Sequence, residues 1–171
     1  MEYWEEFIGR QTDAEVLQYV HNHPELINAR DESTDHYLLE RAAFTLRLDL
    51  VEALLGLGAN PNQLDPAGQL PLHSAIEAYW DNPRKSLALT KLLIDHGADI
   101  ENRGYPDFTA LHRASLRNAF DIVILLVTMG ADINARSEDR GDGGRTPLDV
   151  AEMHKLSGIA QYLREHGAVN A

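Results

Sequence analysis

Four Gly-Ala pairs divide this chain, Gly58-Ala59, Gly97-Ala98, Gly130-Ala131 and Gly167-Ala168, and each closes a run of leucines, isoleucines and valines. The intervals between them are 39, 33 and 37 residues. A recurring period of this length marks a repeat architecture, in which each unit is one supersecondary element stacked on its neighbours. A second marker sets the phase. Leu39, Leu72, Leu111 and Leu148 each stand near the start of a helical stretch, 19 residues before the next glycine in three units and 25 in the second. From glycine onward to the next leucine the distances are 14, 14 and 18. One insertion of 6 residues therefore lies inside the second unit, and one of 4 lies between the third and fourth.

The residues between these markers explain the pattern. Thr146 before Pro147 reads as a helix N-cap followed by proline at the first helical position, where no backbone donor is lost. Gly130 suits a left-handed C-terminal cap, which a Cβ would disfavour. Ile122, Val123, Leu125 and Leu126 supply the inward stripe of a short helix. Leu50, Val51, Leu54 and Leu55 do so in the first unit, and Leu89, Leu92 and Leu93 in the second. A unit this small cannot bury its apolar face alone, so stacking must stabilise it.

These residues resemble the ankyrin repeat. The family pattern runs Thr-Pro-Leu-His, a short helix, a turn, a second helix ending in Leu-Leu, and then Gly-Ala-Asp-x-Asn. The second unit has Pro71-Leu72-His73, Leu92-Leu93 and Gly97-Ala98-Asp99; the third has Thr109-Ala110-Leu111-His112, Leu125-Leu126 and Gly130-Ala131-Asp132-Ile133-Asn134. The fourth has Thr146-Pro147-Leu148 and Gly167-Ala168-Val169-Asn170. The resemblance implies an all-α ankyrin-repeat solenoid of stacked helix-turn-helix units with short β-hairpin-like connections. It covers nearly all 171 residues as one domain. The expected divisions are an N-terminal cap at 1–31, a repeat at 32–64, a repeat at 65–103 with its insertion near 78–88, a repeat at 104–136, and a C-terminal repeat at 137–171 with an inserted loop at 137–143. The departures are Tyr37-Leu38-Leu39-Glu40 in place of Thr-Pro-Leu-His, Asp149 in place of histidine, and Val169 in place of aspartate. The capping network of the first repeat must accordingly differ.

At the start, Phe7 and Ile8 precede a second periodic stretch, Val16, Leu17, Tyr19 and Val20, with Leu26-Ile27-Asn28 in the place of the usual Gly-Ala-Asp-x-Asn. This reads as a capping helix pair, with Trp4 packed against the first full repeat. At the other end, Gln161, Arg164 and Glu165 give the last helix a solvated face. The N-terminus is acidic rather than basic, which argues against a secretory or transit signal. Cysteine is absent, excluding disulfides and thiolate chemistry. The longest apolar run, 122–127, is far shorter than the roughly 18–20 residues that span a bilayer. A monomeric cytoplasmic protein is expected.

The formal net charge is −12, of which −8 falls in residues 1–60 (twelve acids, four bases) and −4 in the remainder (fifteen acids, eleven bases). Such a surface disfavours nucleic acid and anionic membrane as partners and favours a basic protein. Acidity also simply keeps a protein soluble. The eight histidines suggest no metal site in sequence. His73 and His112 fall where the family's histidine makes structural hydrogen bonds, His96 and His166 precede Gly-Ala turns where helix C-termini favour positive charge, and His36 and His154 stand isolated. No phosphate-binding glycine loop, His-Glu-x-x-His or Gly-x-Ser-x-Gly occurs. Arg140-Gly141-Asp142 reads as a coincidental tripeptide, and the Glu138–Asp142 stretch does not match a calcium loop. No cofactor is implied, and nothing assembles a nucleophile, a base and an orienting group.

What remains is a recognition surface. By resemblance, the hairpin tips and inner helices line a concave groove. That places His36 and Phe44 there from the first repeat, Gln69 and Glu77 from the second, Tyr105, Phe108, Leu116 and Arg117 from the third, and Asp142, Arg145 and His154 from the fourth. The 6-residue insertion adds Tyr79 and Trp80, which either project from the loop or fold back over it. Tyr105 and Phe108 are expected to project. The functional expectation is a non-catalytic module that binds a partner protein through the groove and hairpin tips. Two alternatives are a bacterial immunity or inhibitor protein neutralising a basic toxin, and a metal-dependent enzyme using His21, His23 or the Glu138–Asp142 loop.

Overall fold

In the computed structural model, residue 7 and residues 9–31, 34–138 and 144–171 are described. Trp4, Ile8 and Asp142, along with the Arg140-Gly141-Asp142 tripeptide, lie outside them. Among the described residues the chain forms nine α-helices and no β-sheet. The helices are α1 (Asp13–Asn22), α2 (Leu38–Phe44), α3 (Leu48–Gly56), α4 (Pro71–Glu77), α5 (Pro83–Asp95), α6 (Ala110–Leu116), α7 (Phe120–Thr128), α8 (Pro147–Met153) and α9 (Ser157–Glu165). This is the expected all-α solenoid. Helices α2, α4, α6 and α8 form an inner row, each packed on the next, and α3, α5, α7 and α9 form an outer row behind them. Helix α1 packs against α3 at the N-terminal end.

The core lies between the rows. Leu38, Leu50, Leu54, Ile76, Leu89, Leu93, Leu111, Ile122, Leu126, Leu148, Ile159 and Leu163 are fully buried there, each burial contributing roughly 1.5–3 kcal/mol. Inner helices are only seven residues long, too short to be stable alone. Their starts are fixed locally. Thr146 accepts from the Asp149 backbone while the Asp149 carboxylate accepts from the Thr146 backbone at 2.8 Å, a reciprocal capping box. Helix α2 has Tyr37 at its N-cap with no side-chain bond, the altered capping that its sequence required.

The 6-residue insertion has a simple structural form. A 3₁₀ turn, Ala78–Trp80, follows α4, and Asn82 then caps a new helix start by accepting from the Lys85 amide at 3.0 Å, with Pro83 at the first position. The outer helix grows to 13 residues, against nine in α3, α7 and α9. Tyr79 is half-buried and packs on the edge of the core, whereas Trp80 is 70 % exposed. Both sequence alternatives are thus realised, one by each ring.

The units are joined along the Gly-Ala turns by a ladder of side-chain bonds. Asn28 donates to the Gly58 carbonyl at 3.1 Å and accepts from the Asn60 amide at 2.7 Å. Asn62 does the same to Gly97 and Asp99, both at 2.8 Å. Asn134 bonds Gly167 at 3.3 Å and Val169 at 2.8 Å. At the corresponding place in the second unit stands Glu101, which accepts from the Asp132 amide at 2.8 Å. An ionised carboxylate has no proton to donate to the Gly130 carbonyl.

Replacing Glu101 by asparagine is expected to complete the ladder and stabilise the protein by about 0.5–1.5 kcal/mol. Thermal unfolding of Glu101→Asn should show a midpoint about 1–6 °C higher. An unchanged or lowered midpoint would show that the missing donor has no structural cost.

Candidate functional site

The inner helices and the hairpins that precede them form one concave face. A cavity of about 440 Å³ opens in it, lined by His36, Glu40, Arg41, Phe44, Gln69, Ser74, Glu77, Tyr105, Pro106, Arg113, Leu116 and Arg117. These come from three successive units: residues 36–44 lead into and form α2, Ser74 and Glu77 lie on α4, and Arg113, Leu116 and Arg117 occupy the end of α6. Gln69, Tyr105 and Pro106 come from the hairpins.

One wall is held by Glu77. Its carboxylate pairs with Arg113 at 2.6 Å and with Arg117 one turn further along α6. Arg113 is buried, and its other terminal nitrogen donates to the Tyr105 carbonyl. Removing one partner of such a buried pair typically costs 3–5 kcal/mol, because the remaining charge is stranded. The same hairpin is tied to its neighbour, since the Tyr105 amide donates to the Gly68 carbonyl at 2.9 Å. Gly68 has φ +76°, and a Cβ there would lie 2.6 Å from the Tyr105 Cβ, so only glycine permits the two tips to approach. Tyr105 is left 64 % exposed and Phe44 43 % exposed on the cavity rim, Phe44 lying 5.1 Å from the Arg41 guanidinium.

The opposite end holds three ionisable groups. His36 Nδ1 lies 2.9 Å from Asp65 Oδ2 and 3.1 Å from Glu40 Oε2. Glu40 and Asp65 are both buried. Asp65 accepts the Gln69 amide at 2.7 Å through Oδ1, and Glu40 accepts the Ser74 hydroxyl at 2.6 Å through Oε1. Burial pushes the Glu40 carboxyl above the usual carboxylate range and the nearby Asp65 adds to this, while Ser74, His36 and Arg41 act in the opposite direction.

Of the residues that sequence placed on the recognition surface, the structure brings His36, Phe44, Gln69, Glu77, Tyr105, Leu116 and Arg117 around the cavity. Arg145 and His154 are exposed but do not line it, and neither do Tyr79 and Trp80. Burial first, then Asp121, pushes the Tyr79 hydroxyl up. Phe108 is a correction. Expected to project, it is only 9 % exposed, because its ring stacks on His112 at 5.0 Å between centroids. The hairpin closes beneath it through the Gly104–Phe108 bridge. Sequence reasoning missed Glu40, Arg41, Ser74 and Arg113. Glu40 and Arg113 were legible in principle, as partners one helical turn from His36 and Arg117. His36, isolated in sequence, is not isolated in space.

The two family-type histidines, His73 and His112, are both fully buried, and His112 is held by hydrogen bonds. His112 Nδ1 accepts from the Thr109 amide and hydroxyl at 3.3 and 2.9 Å, so its Nε2–H donates to the Arg145 carbonyl at 2.8 Å. Burial pushes its pKa down. Burial, reinforced by Arg113, pushes His73 down to about 3. A depressed pKa means that the unfolded chain takes up a proton the folded chain refuses. Stability is therefore full above the ordinary histidine value and falls as pH drops below about 6.5. Glu40 acts in the opposite sense: its raised pKa supports the fold at low pH, and that support is lost as pH rises through the folded value. Comparing wild type with His73→Gln isolates the histidine. Denaturant unfolding between pH 6 and 5 should give a stability slope roughly 1 kcal/mol per pH unit shallower in the variant. Equal slopes would mean that His73 protonates freely in the folded state.

A family model described as ankyrin repeats (3 copies) matches residues 38–137. The chain is 37 % identical over 134 residues to the B-cell lymphoma 3 protein homolog of Mus musculus, covering 78 % of this chain and 29 % of that protein. It is 31 % identical over 138 residues to alpha-latroinsectotoxin-Lt1a of Latrodectus tredecimguttatus, covering 80 % of this chain and 9 % of the toxin. To cyclin-dependent kinase inhibitor 2A of Monodelphis domestica it is 32 % identical over 139 residues, 79 % of this chain and 73 % of that protein. The chain thus spans less than a third of the first two relatives' lengths.

Proposed function

The chain belongs to the ankyrin-repeat family, and from that premise we propose that it is a non-catalytic binding module that holds a segment of a partner protein in the cavity of its concave face. The observation that carries this reading is the pairing of exposed aromatic rings with a rigidly held frame. Phe44 and Tyr105 are exposed on the rim, while Glu77, Arg113 and the Tyr105 backbone are locked to one another beneath them. A preformed frame reduces the ordering cost of association, and aromatic and arginine side chains are the usual energetic anchors of interfaces. The ionic groups of the wall are spent on this frame, which argues for binding rather than catalysis.

Two relatives support the reading by name. One is the kinase inhibitor above, and the other is NF-kappa-B inhibitor alpha of Homo sapiens, 35 % identical over 98 residues. Each is named for inhibiting another protein, and occupancy of a partner's surface by a groove is a direct physical route to inhibition. The lining does not share the acidity of the whole chain. Three arginines face two glutamates there, so a basic partner is favoured by the overall charge and not by the cavity. Among the described residues no helix is long and apolar enough to cross a membrane.

The test is a comparison of variants against the partner recovered by cross-linking from cells that contain the protein. Phe44→Ala with Tyr105→Ala should weaken binding at least about 30-fold, as loss of interface anchors does. Trp80→Ala, outside the cavity, should change it less than about twofold. Full retention by the double variant, or loss in Trp80→Ala alone, would move the interface off the groove.

A further inference from the structure

We propose that His36, Glu40 and Asp65 form a three-ligand site for a divalent transition metal, zinc by the chemistry of its donors, with a fourth position open to the groove. His36 Nδ1, one oxygen of Glu40 and one oxygen of Asp65 all lie within 4.8 Å of one another, a clustering of potential ligands found among the described residues. The two separations from the imidazole nitrogen are 2.9 and 3.1 Å. Bonds of about 2.0–2.1 Å in a tetrahedral zinc site place neighbouring ligand atoms about 3.3 Å apart. Seating the ion therefore requires each carboxylate oxygen to withdraw from the imidazole nitrogen by only a few tenths of an ångström.

The site is built, not merely acidic. Each carboxylate has one oxygen already engaged, Asp65 by the Gln69 amide at 2.7 Å and Glu40 by the Ser74 hydroxyl at 2.6 Å, and these bonds aim the second oxygen at the centre. An independent observation points to a missing ligand. Glu40 Oε2 is buried and accepts no hydrogen bond, on a side chain only 2 % exposed. It faces His36 Nδ1 at 3.1 Å, but a single Nδ1 proton cannot serve both it and Asp65 Oδ2 at 2.9 Å, and when Nδ1 ligates a metal that proton resides on Nε2 so that the Nδ1 lone pair is free to bind. A buried lone pair with no donor is costly, and a cation satisfies it. Charge agrees as well: two ionised carboxylates and a neutral imidazole balance an ion of charge +2.

Donor type selects the metal. Calcium takes six to eight oxygens and magnesium demands an octahedral shell, whereas one imidazole and two carboxylates with a single open position suit zinc. His36 and Glu40 both line the cavity, so the fourth ligand is water or a side chain supplied from the groove.

The test uses the full chain after chelator treatment and dialysis, with zinc chloride alone as the probe. Calorimetry should show one equivalent bound with micromolar or tighter affinity, zinc should raise the unfolding midpoint, and cobalt in its place should give the intense visible absorption of a four-coordinate site. Glu40→Gln, isosteric and neutral, should bind at least tenfold more weakly, while His21→Ala with His23→Ala should bind as wild type does. Nuclear magnetic resonance of wild type with one equivalent of zinc should shift the His36 ring signals, which keeps the test independent of any variant's folding. No binding, undiminished binding by Glu40→Gln, or an unmoved His36 ring would each overturn the proposal. Phe44 and Tyr105 are not ligands, so failure here and failure of groove binding are separately visible.

Discussion

No helix pair in this chain can bury its own apolar stripe, and every other property of the molecule follows from handing that stripe to the next pair. Leu54, Leu89, Leu93 and Leu126 lie buried between the inner and outer rows, and each pair there packs in turn on the next. Stacking fixes the spacing of the turns, and the spacing fixes the ladder in which Asn28, Asn62 and Asn134 each reach across to the following unit. The same spacing brings inner helices close enough for one unit's side chains to complete another's. Ser74 of α4 donates to one carboxylate oxygen of Glu40 of α2, and Glu77 of α4 holds Arg113 of α6. Nearest-neighbour contact is thus both the source of stability and the means by which a site is assembled from distant residues.

That dependence explains which parts of the structure could be read from the chain. Apolar stripes, capping residues and glycine turns are local signals, so the helix pairs and the position of the insertion follow from residues such as Leu125-Leu126, Thr146-Pro147 and Gly97. The place of His36, Phe44, Glu77 and Arg117 around the cavity is what the ankyrin resemblance implied, since it assigns the inner helices and hairpin tips to the groove. Pairings between units carry no such signal. That Glu77 meets Arg113, 36 residues away, or that Asp65 meets His36, is decided by stacking geometry alone. Phe108 shows the same limit from the other side. Its place in a hairpin suggested exposure, but the ring of His112, four residues on, offered a stacking surface.

The groove combines two kinds of residue that sequence cannot distinguish. Arg113 is buried and serves as a brace, while Tyr105 beside it is presented to solvent by a backbone that Arg113 grips. Rigidity in one makes the other usable, since an aromatic ring held in place loses less freedom on binding. Gly68 is part of the same device, for its missing side chain is what lets the two hairpin tips bond. The departure of the second unit, by contrast, places Trp80 away from the cavity, so the irregularity of the repeat lengthens a helix without building the groove.

The groove wall is fixed in the free protein by contacts that cross from the second unit to the third, Glu77 to Arg113 and Gly68 to Tyr105. The Tyr105 amide reports on it directly, because its hydrogen bond crosses to Gly68 at 2.9 Å. Hydrogen exchange of the free protein, resolved at this amide, should show protection comparable to that of the flanking inner helices α4 and α6. Exchange at the rate of an unstructured loop, with those helices still protected, would contradict the account.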